Sequence, residues 1–145
     1  MGYALFTARK LSVNTRLNSC NANLTSLTER ENVLTQSIFA KQQASALQAN
    51  RDNTAALKAY NEAMNQAGDD TKAQELAKNA LDQRMLEIEK NTMMNDAEIF
   101  SLNQQQTLID MEKKSLETQL KAFQNELDSV QKAEENAIKG STPKF

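Results

Sequence analysis

The sequence predicts an all-α protein, a long antiparallel helical hairpin in which two helices pair as a coiled coil within a single domain, residues 1–145. Three observations carry this expectation. Ala, Leu, Gln, Glu and Lys, all good helix formers, fill most positions. The only glycines are Gly2, Gly68 and Gly140, and the only proline is Pro143, so nothing breaks a helix outright between those marks. Finally, apolar residues recur every seven positions through the second half of the chain.

Taken in order, the first helix is expected over about 4–66 and the turn over 67–70. Gly68-Asp69-Asp70-Thr71 supplies the punctuation: glycine suits the residue after a last helical turn, and Asp69, Asp70 or Thr71 can accept hydrogen bonds from the free N–H groups that open the next helix. The second helix is expected over about 70–138. Gly140 and then Pro143 are its stop signals, which leaves a short tail, 139–145. At a rise of 1.5 Å per residue each helix measures about 95–105 Å. A second organisation adds a break at Asn50-Arg51-Asp52-Asn53-Thr54, whose polar side chains are capping types.

The seam can be read from the heptads. In the second half Leu102, Ile109, Leu116, Phe123, Val130 and Ala137 stand seven apart, with Ile99, Leu120 and Leu127 interleaved and Gln106, Lys113 and Glu134 as polar insertions able to fix register. The first half carries a matching stripe: Val13, Leu17, Cys20, Leu24, Leu27, Leu34 and Ile38. Folding about Gly68 sets position i near position 137 − i, roughly, and the two stripes then coincide. Each helix of such a pair has one neighbour, so apolar residues off the seam need another copy to cover them. Tyr3, Phe6, Val33, Phe39, Leu57, Tyr60, Leu86 and Leu108 are the candidate assembly contacts.

Composition narrows the function. With 39% hydrophobic and 5% aromatic residues and no Trp, a large globular core is hard to fill, whereas a thin helical pair completed by a partner is not. A net charge of −2 argues against nucleic-acid binding, for which a basic face is required. The 28 Asn and Gln residues suit either faces that bond to other subunits or faces that are simply solvated. No apolar run reaches transmembrane length, and no basic stretch followed by an apolar one marks a cleaved signal peptide.

The beginning of the chain is acid-free. Glu29 is the first carboxylate, Arg9, Lys10 and Arg16 precede it, and ten of the seventeen residues from Ser12 to Thr28 are Ser, Thr or Asn. Chance in a polar helix, a mitochondrial-type presequence and an uncleaved amphipathic export signal all fit this composition. Val13-Asn14-Thr15, Leu17-Asn18, Asn21, Leu24, Leu27 and Glu29-Arg30 resemble the opening helix of bacterial flagellins, and type III-secreted filament and needle subunits are nearer in size. The resemblance covers about 18 residues, a single helix turn pattern rather than a domain. It implies an exported subunit whose terminal helices pair in a filament wall. The chain departs from that family at Glu31-Asn32-Val33-Leu34, at its C-terminal half, and in having no inserted outer domain.

Catalytic chemistry is not indicated. Histidine is absent, which removes the commonest general base and metal ligand, and there is no phosphate loop, nucleophile elbow or paired cysteine motif. Glu87, Glu89 and Asp96 read as solvated helix faces, Cys20 as a small apolar seam residue, and Met93-Met94 as packing or a soft partner surface. Tyr3, Leu5 and Phe6 beside Arg9 and Lys10 fit a neighbouring subunit or a membrane surface. The sequon Asn23-Leu24-Thr25 lies in the stripe, and Phe6 occupies the hydroxyl position of a myristoylation signal. The expectation is therefore a non-enzymatic structural subunit without cofactor or metal. It assembles with itself into a homo-oligomer or filament outside the cell or at its surface, with an export chaperone as a further partner. The alternative is a cytoplasmic coiled-coil binding module: a secretion chaperone, scaffold or adaptor.

Overall fold

The fold was examined in a computed structural model that describes residues 2–141, with side chains from 4 to 140. It consists of two helices packed against each other, α1 (Gly2–Ala67) and α2 (Thr71–Ser141), and no strand occurs among the described residues. The chain is an all-α helical hairpin.

Three residues join the helices. Gly68 takes φ +53°, the left-handed conformation that spares only glycine a Cβ penalty, and its N–H still donates to the Met64 carbonyl at 3.3 Å. Asp70 then caps α2: its Oδ1 accepts from the N–H groups of Lys72 and Ala73 at 3.1 and 3.4 Å. Gln74 reaches back to donate to the Gly68 carbonyl at 2.7 Å, which ties the first turn of α2 to the end of α1.

Helix bounds differ from the expectation in two places. The polar run 50–54 does not break α1. It contains neither glycine nor proline, and Gln48 Nε2 donates to Asp52 Oδ1 at 3.0 Å, so the carboxylate serves an i,i+4 bond along the helix rather than a cap. At the other end α2 continues to Ser141 instead of stopping near 138. Gly140 costs a helix about 1 kcal/mol relative to alanine but removes no hydrogen bond, and Gly68 is the only described glycine with positive φ. Pro143 lies outside the described residues.

The chain divides into two units, one built from α1 up to Val33 with α2 from Gln106 onward, the other from Leu34 to Gln105. In the terminal unit the core is aliphatic. Val13, Cys20, Leu27, Ile109 and Val130 are buried, and Leu17, Leu24, Leu116, Leu120, Phe123 and Leu127 are half-buried between them. The backbone register follows from one short side chain: Cys20 Sγ donates to the Leu116 carbonyl at 3.1 Å, one residue from the level that 137 − i assigns it. The long side chains do not obey that rule. Lys10 pairs with Glu134, and Lys113 Nζ meets Glu31 Oε2 at 2.9 Å, whereas level pairing would set Glu31 beside Gln106. Helix side chains lean toward their own N-terminus, so in an antiparallel pair two long partners meet only when their combined numbers exceed the backbone register by about two turns.

In the unit next to the turn the seam is made of small residues. Ile38, Ala56 and Ala77 are buried; Ala49, Ala59, Ala63, Leu81, Met85, Ile88, Ile99 and Leu102 are half-buried. Covered positions run Lys41, Ser45, Ala49 on α1 and Ala77, Leu81, Met85 on α2, two consecutive steps of four in each helix where a strict heptad alternates three and four. Such an inserted step relaxes the local winding of a coiled coil, and because both helices carry one, their stripes stay in phase. Lys41 and Glu98 form an ion pair across this seam.

Candidate assembly surface

The seam residues come first, because they decide which faces are left over. Val13, Leu27, Ile38, Ile109 and Val130 are buried, and Leu17, Leu24, Leu34, Ile99, Leu102, Leu116, Leu120, Phe123 and Leu127 are half-buried. Ala137, the last member of the heptad, is exposed. Arg16 extends the seam sideways, its guanidinium carbon 5.9 Å from the centre of the Phe123 ring, a cation–π contact worth about 0.5–1 kcal/mol where solvent is near.

Polar residues inside the seam are matched rather than buried bare. Among the described residues the three inter-helix ion pairs alternate in sign, with Lys10, Glu31 and Lys41 on α1 facing Glu134, Lys113 and Glu98 on α2. A register slip brings like charges together, so these pairs act mainly as specificity devices. Lys113 is held above the ordinary lysine range chiefly by its hydrogen bond to Glu31, partly opposed by desolvation, with Glu31, Asp110 and Glu117 adding attraction. Cys20 is buried, with its thiol engaged by the Leu116 carbonyl.

The candidate assembly contacts separate into two groups. Val33, Phe39, Leu57, Leu86 and Leu108 stand in solvent, from 48% exposed at Leu57 to 64% at Leu86. Phe6 and Tyr60 do not. Both are half-buried, Phe6 seven residues before Val13 on the same stripe and Tyr60 in a small cleft with Ala56, Ala63, Ala77 and Leu81. Small alanines on both helices leave the room that the tyrosine ring takes up, which heptad counting restricted to large residues misses. The side chain of Tyr3 lies outside the described residues.

Several exposed apolar residues escaped the sequence reading: Leu5, Leu11, Leu47, Leu76, Phe100, Met111 and Ile138. They are isolated in the sequence, and only the phase of the seam shows that they point away from it. The outer face of α1 in the terminal unit is also less polar than its composition suggests. Thr15, Thr25 and Thr28 each donate their hydroxyl to the carbonyl four residues earlier, at 2.8, 3.0 and 2.9 Å, so those donors are used within the helix.

In the unit next to the turn a groove of about 320 Å³ opens between the helices, floored by Ser45, Ala46, Ala49 and Thr92 and edged by Asp96 and Ile99. Among the described residues no group of three or more His, Cys, Asp or Glu is placed to hold a metal ion, and no helix is long and apolar enough to cross a membrane. No protein family, curated protein or solved structure matches this chain.

Proposed function

We propose that this chain is a structural subunit that assembles with copies of itself, as part of an exported filament or appendage. One observation carries the reading. Among the described residues fourteen large apolar side chains are exposed while eight apolar residues are buried, so the hairpin leaves more apolar surface to be covered than it covers. Burying a large side chain is worth roughly 1.5–3 kcal/mol, and a few such residues at each contact suffice to hold copies together. The reading assigns the chain no catalysis, in keeping with the absence of histidine, and no nucleic-acid partner, in keeping with a net charge of −2. Export is supported by the acid-free opening and by the resemblance of residues 13–30 to flagellin; that stretch contributes Val13, Cys20 and Leu27 to the core, which favours a retained segment over a removed presequence.

Size-exclusion chromatography with light scattering, followed by negative-stain microscopy, tests the proposal. Particles of many copies are expected at micromolar concentration, and their persistence at moderate salt, because burial rather than ion pairing holds them. A chain that stays monomeric at high micromolar concentration without a partner overturns the reading in favour of a coiled-coil binding module.

A further inference from the structure

Phe39, Met93 and Phe100 are exposed by 59%, 66% and 63% and belong to the unit next to the turn. Their positions relative to the groove are fixed by helix geometry. Phe39 precedes Gln42 and Ala46, both groove residues, by three and seven positions; Met93 precedes Asp96 by three, and Phe100 follows it by four. Residues at those spacings share a helix face, so all three large side chains rim the groove.

The groove itself is shaped for a ring. Its volume of about 320 Å³ compares with the roughly 150 Å³ that admits a benzene molecule in a protein cavity. Ser45, Ala46 and Ala49 keep the floor low, and Thr92 presents no unmet donor, because its hydroxyl donates to the Ile88 carbonyl at 2.9 Å. Asp96 is the only ionisable residue in the lining, and it is exposed at the edge, where it stays hydrated.

We infer that this face docks a second copy of the same chain, the Phe39 and Phe100 rings of one copy entering the groove of the other. The inference rests on the self-assembly reading and assigns the contact to one surface. Two features select a second copy as occupant. The same face carries both the protruding rings and the small-residue groove, so it complements itself, as a two-fold contact requires. The area also fits. At 150–250 Å² for each large side chain, covering what Phe39, Met93 and Phe100 expose removes roughly 400 Å² per copy. That is half of the ~800 Å² per partner found in stable associations, and the groove floor and the neighbouring Gln42 and Ala97 are available for the rest.

Sedimentation equilibrium on the full chain tests the assignment, with circular dichroism confirming that each variant keeps wild-type helicity. Phe39→Ser with Phe100→Ser should raise the dissociation constant about 100-fold or more, as loss of two central anchors does. Ala46→Trp fills the groove while leaving both rings in place, and it should weaken association as well; it also serves if the double variant fails to fold. Leu57→Ser, outside this groove, should change the constant less than about threefold. If the wild type associates and both the double variant and Ala46→Trp associate as tightly, the face assignment is wrong and the self-assembly reading survives. A wild type that does not associate overturns both.

Discussion

Val13 and Val130 are the side chains that the hairpin shields most completely, at 1% and 0% exposure, and Val130→Ala measures what that shielding is worth. The substitution removes two methyl groups, a transfer loss of about 1.6 kcal/mol at ~0.8 kcal/mol each. The space left behind, about 50 Å³ if nothing relaxes, adds roughly 1 kcal/mol more. Alanine returns up to ~0.5 kcal/mol through its higher helix propensity, so the net loss should be about 2 kcal/mol. For a chain of this length that corresponds to a fall of about 4–8 °C in the thermal midpoint. Far-UV circular dichroism melts and urea titrations, at one fixed dilute protein concentration because association shifts apparent stability, give both quantities. Leu76→Ala is the control: Leu76 is 70% exposed, and the change should stay within ~0.5 kcal/mol. A Val130→Ala variant that melts with the wild type, or a Leu76→Ala variant that loses as much, would show that burial in the seam does not hold the helices together.

The turn and the polar seam make further demands. Gly68→Ala meets no neighbouring atom within 4 Å, so its cost is the left-handed backbone alone, about 1–2 kcal/mol, visible as a lower melting midpoint. Asp70→Ala, which removes the acceptor for two N–H groups at the start of α2, should cost about 1 kcal/mol in the same assay; an unchanged midpoint refutes the cap. Because the folded-state pKa of Lys113 lies above its unfolded value, the stability it contributes is fully present below the ordinary lysine range and is lost as pH climbs through the raised value. Melts should therefore be steady from neutral pH to about 10 and fall beyond it, and Lys113→Met should fall less over the same interval. Leu116→Pro removes a backbone hydrogen bond in mid-helix and clashes with the preceding turn, about 3 kcal/mol or more, and should strip much of the helical signal; retention of full ellipticity would refute the continuity of α2.

What the sequence made legible was whatever depended on large apolar residues and on glycine. The fold class, the turn at Gly68 and the aliphatic seam of the terminal unit all follow from spacing, since Leu, Val and Ile at three-and-four steps have only one way to be covered by a single neighbour. The seam beside the turn was harder to see. It runs through Ala49, Ala56 and Ala63, themselves seven apart, but alanine is equally common on exposed helix faces and so gives no signal alone. Phe6 and Tyr60 were misjudged as outward-facing for the same reason: the alanines and the heptad continuing back from Val13 had to be counted before their faces could be assigned. The run 50–54 misled because Asp and Asn serve equally as caps and as partners along a helix, and only the Gln48–Asp52 bond distinguishes the two.

The order in which the cross-helix contacts are spaced along the chain has a kinetic consequence. The Gln74–Gly68 bond spans six residues, whereas Lys113–Glu31 spans 82 and Cys20–Leu116 spans 96. Closing a loop costs entropy that rises with its length, but once the turn is set each successive pair closes only a short additional loop. The hairpin should therefore zip from Gly68 outward, and its ends should be the last to close and the first to open. Substitutions at Gly68 or Asp70 would then slow folding, while Val13→Ala or Val130→Ala would mainly speed unfolding. Stopped-flow folding and unfolding arms for these variants would decide the matter, and a Val130→Ala variant whose loss falls on the folding arm would reverse the order.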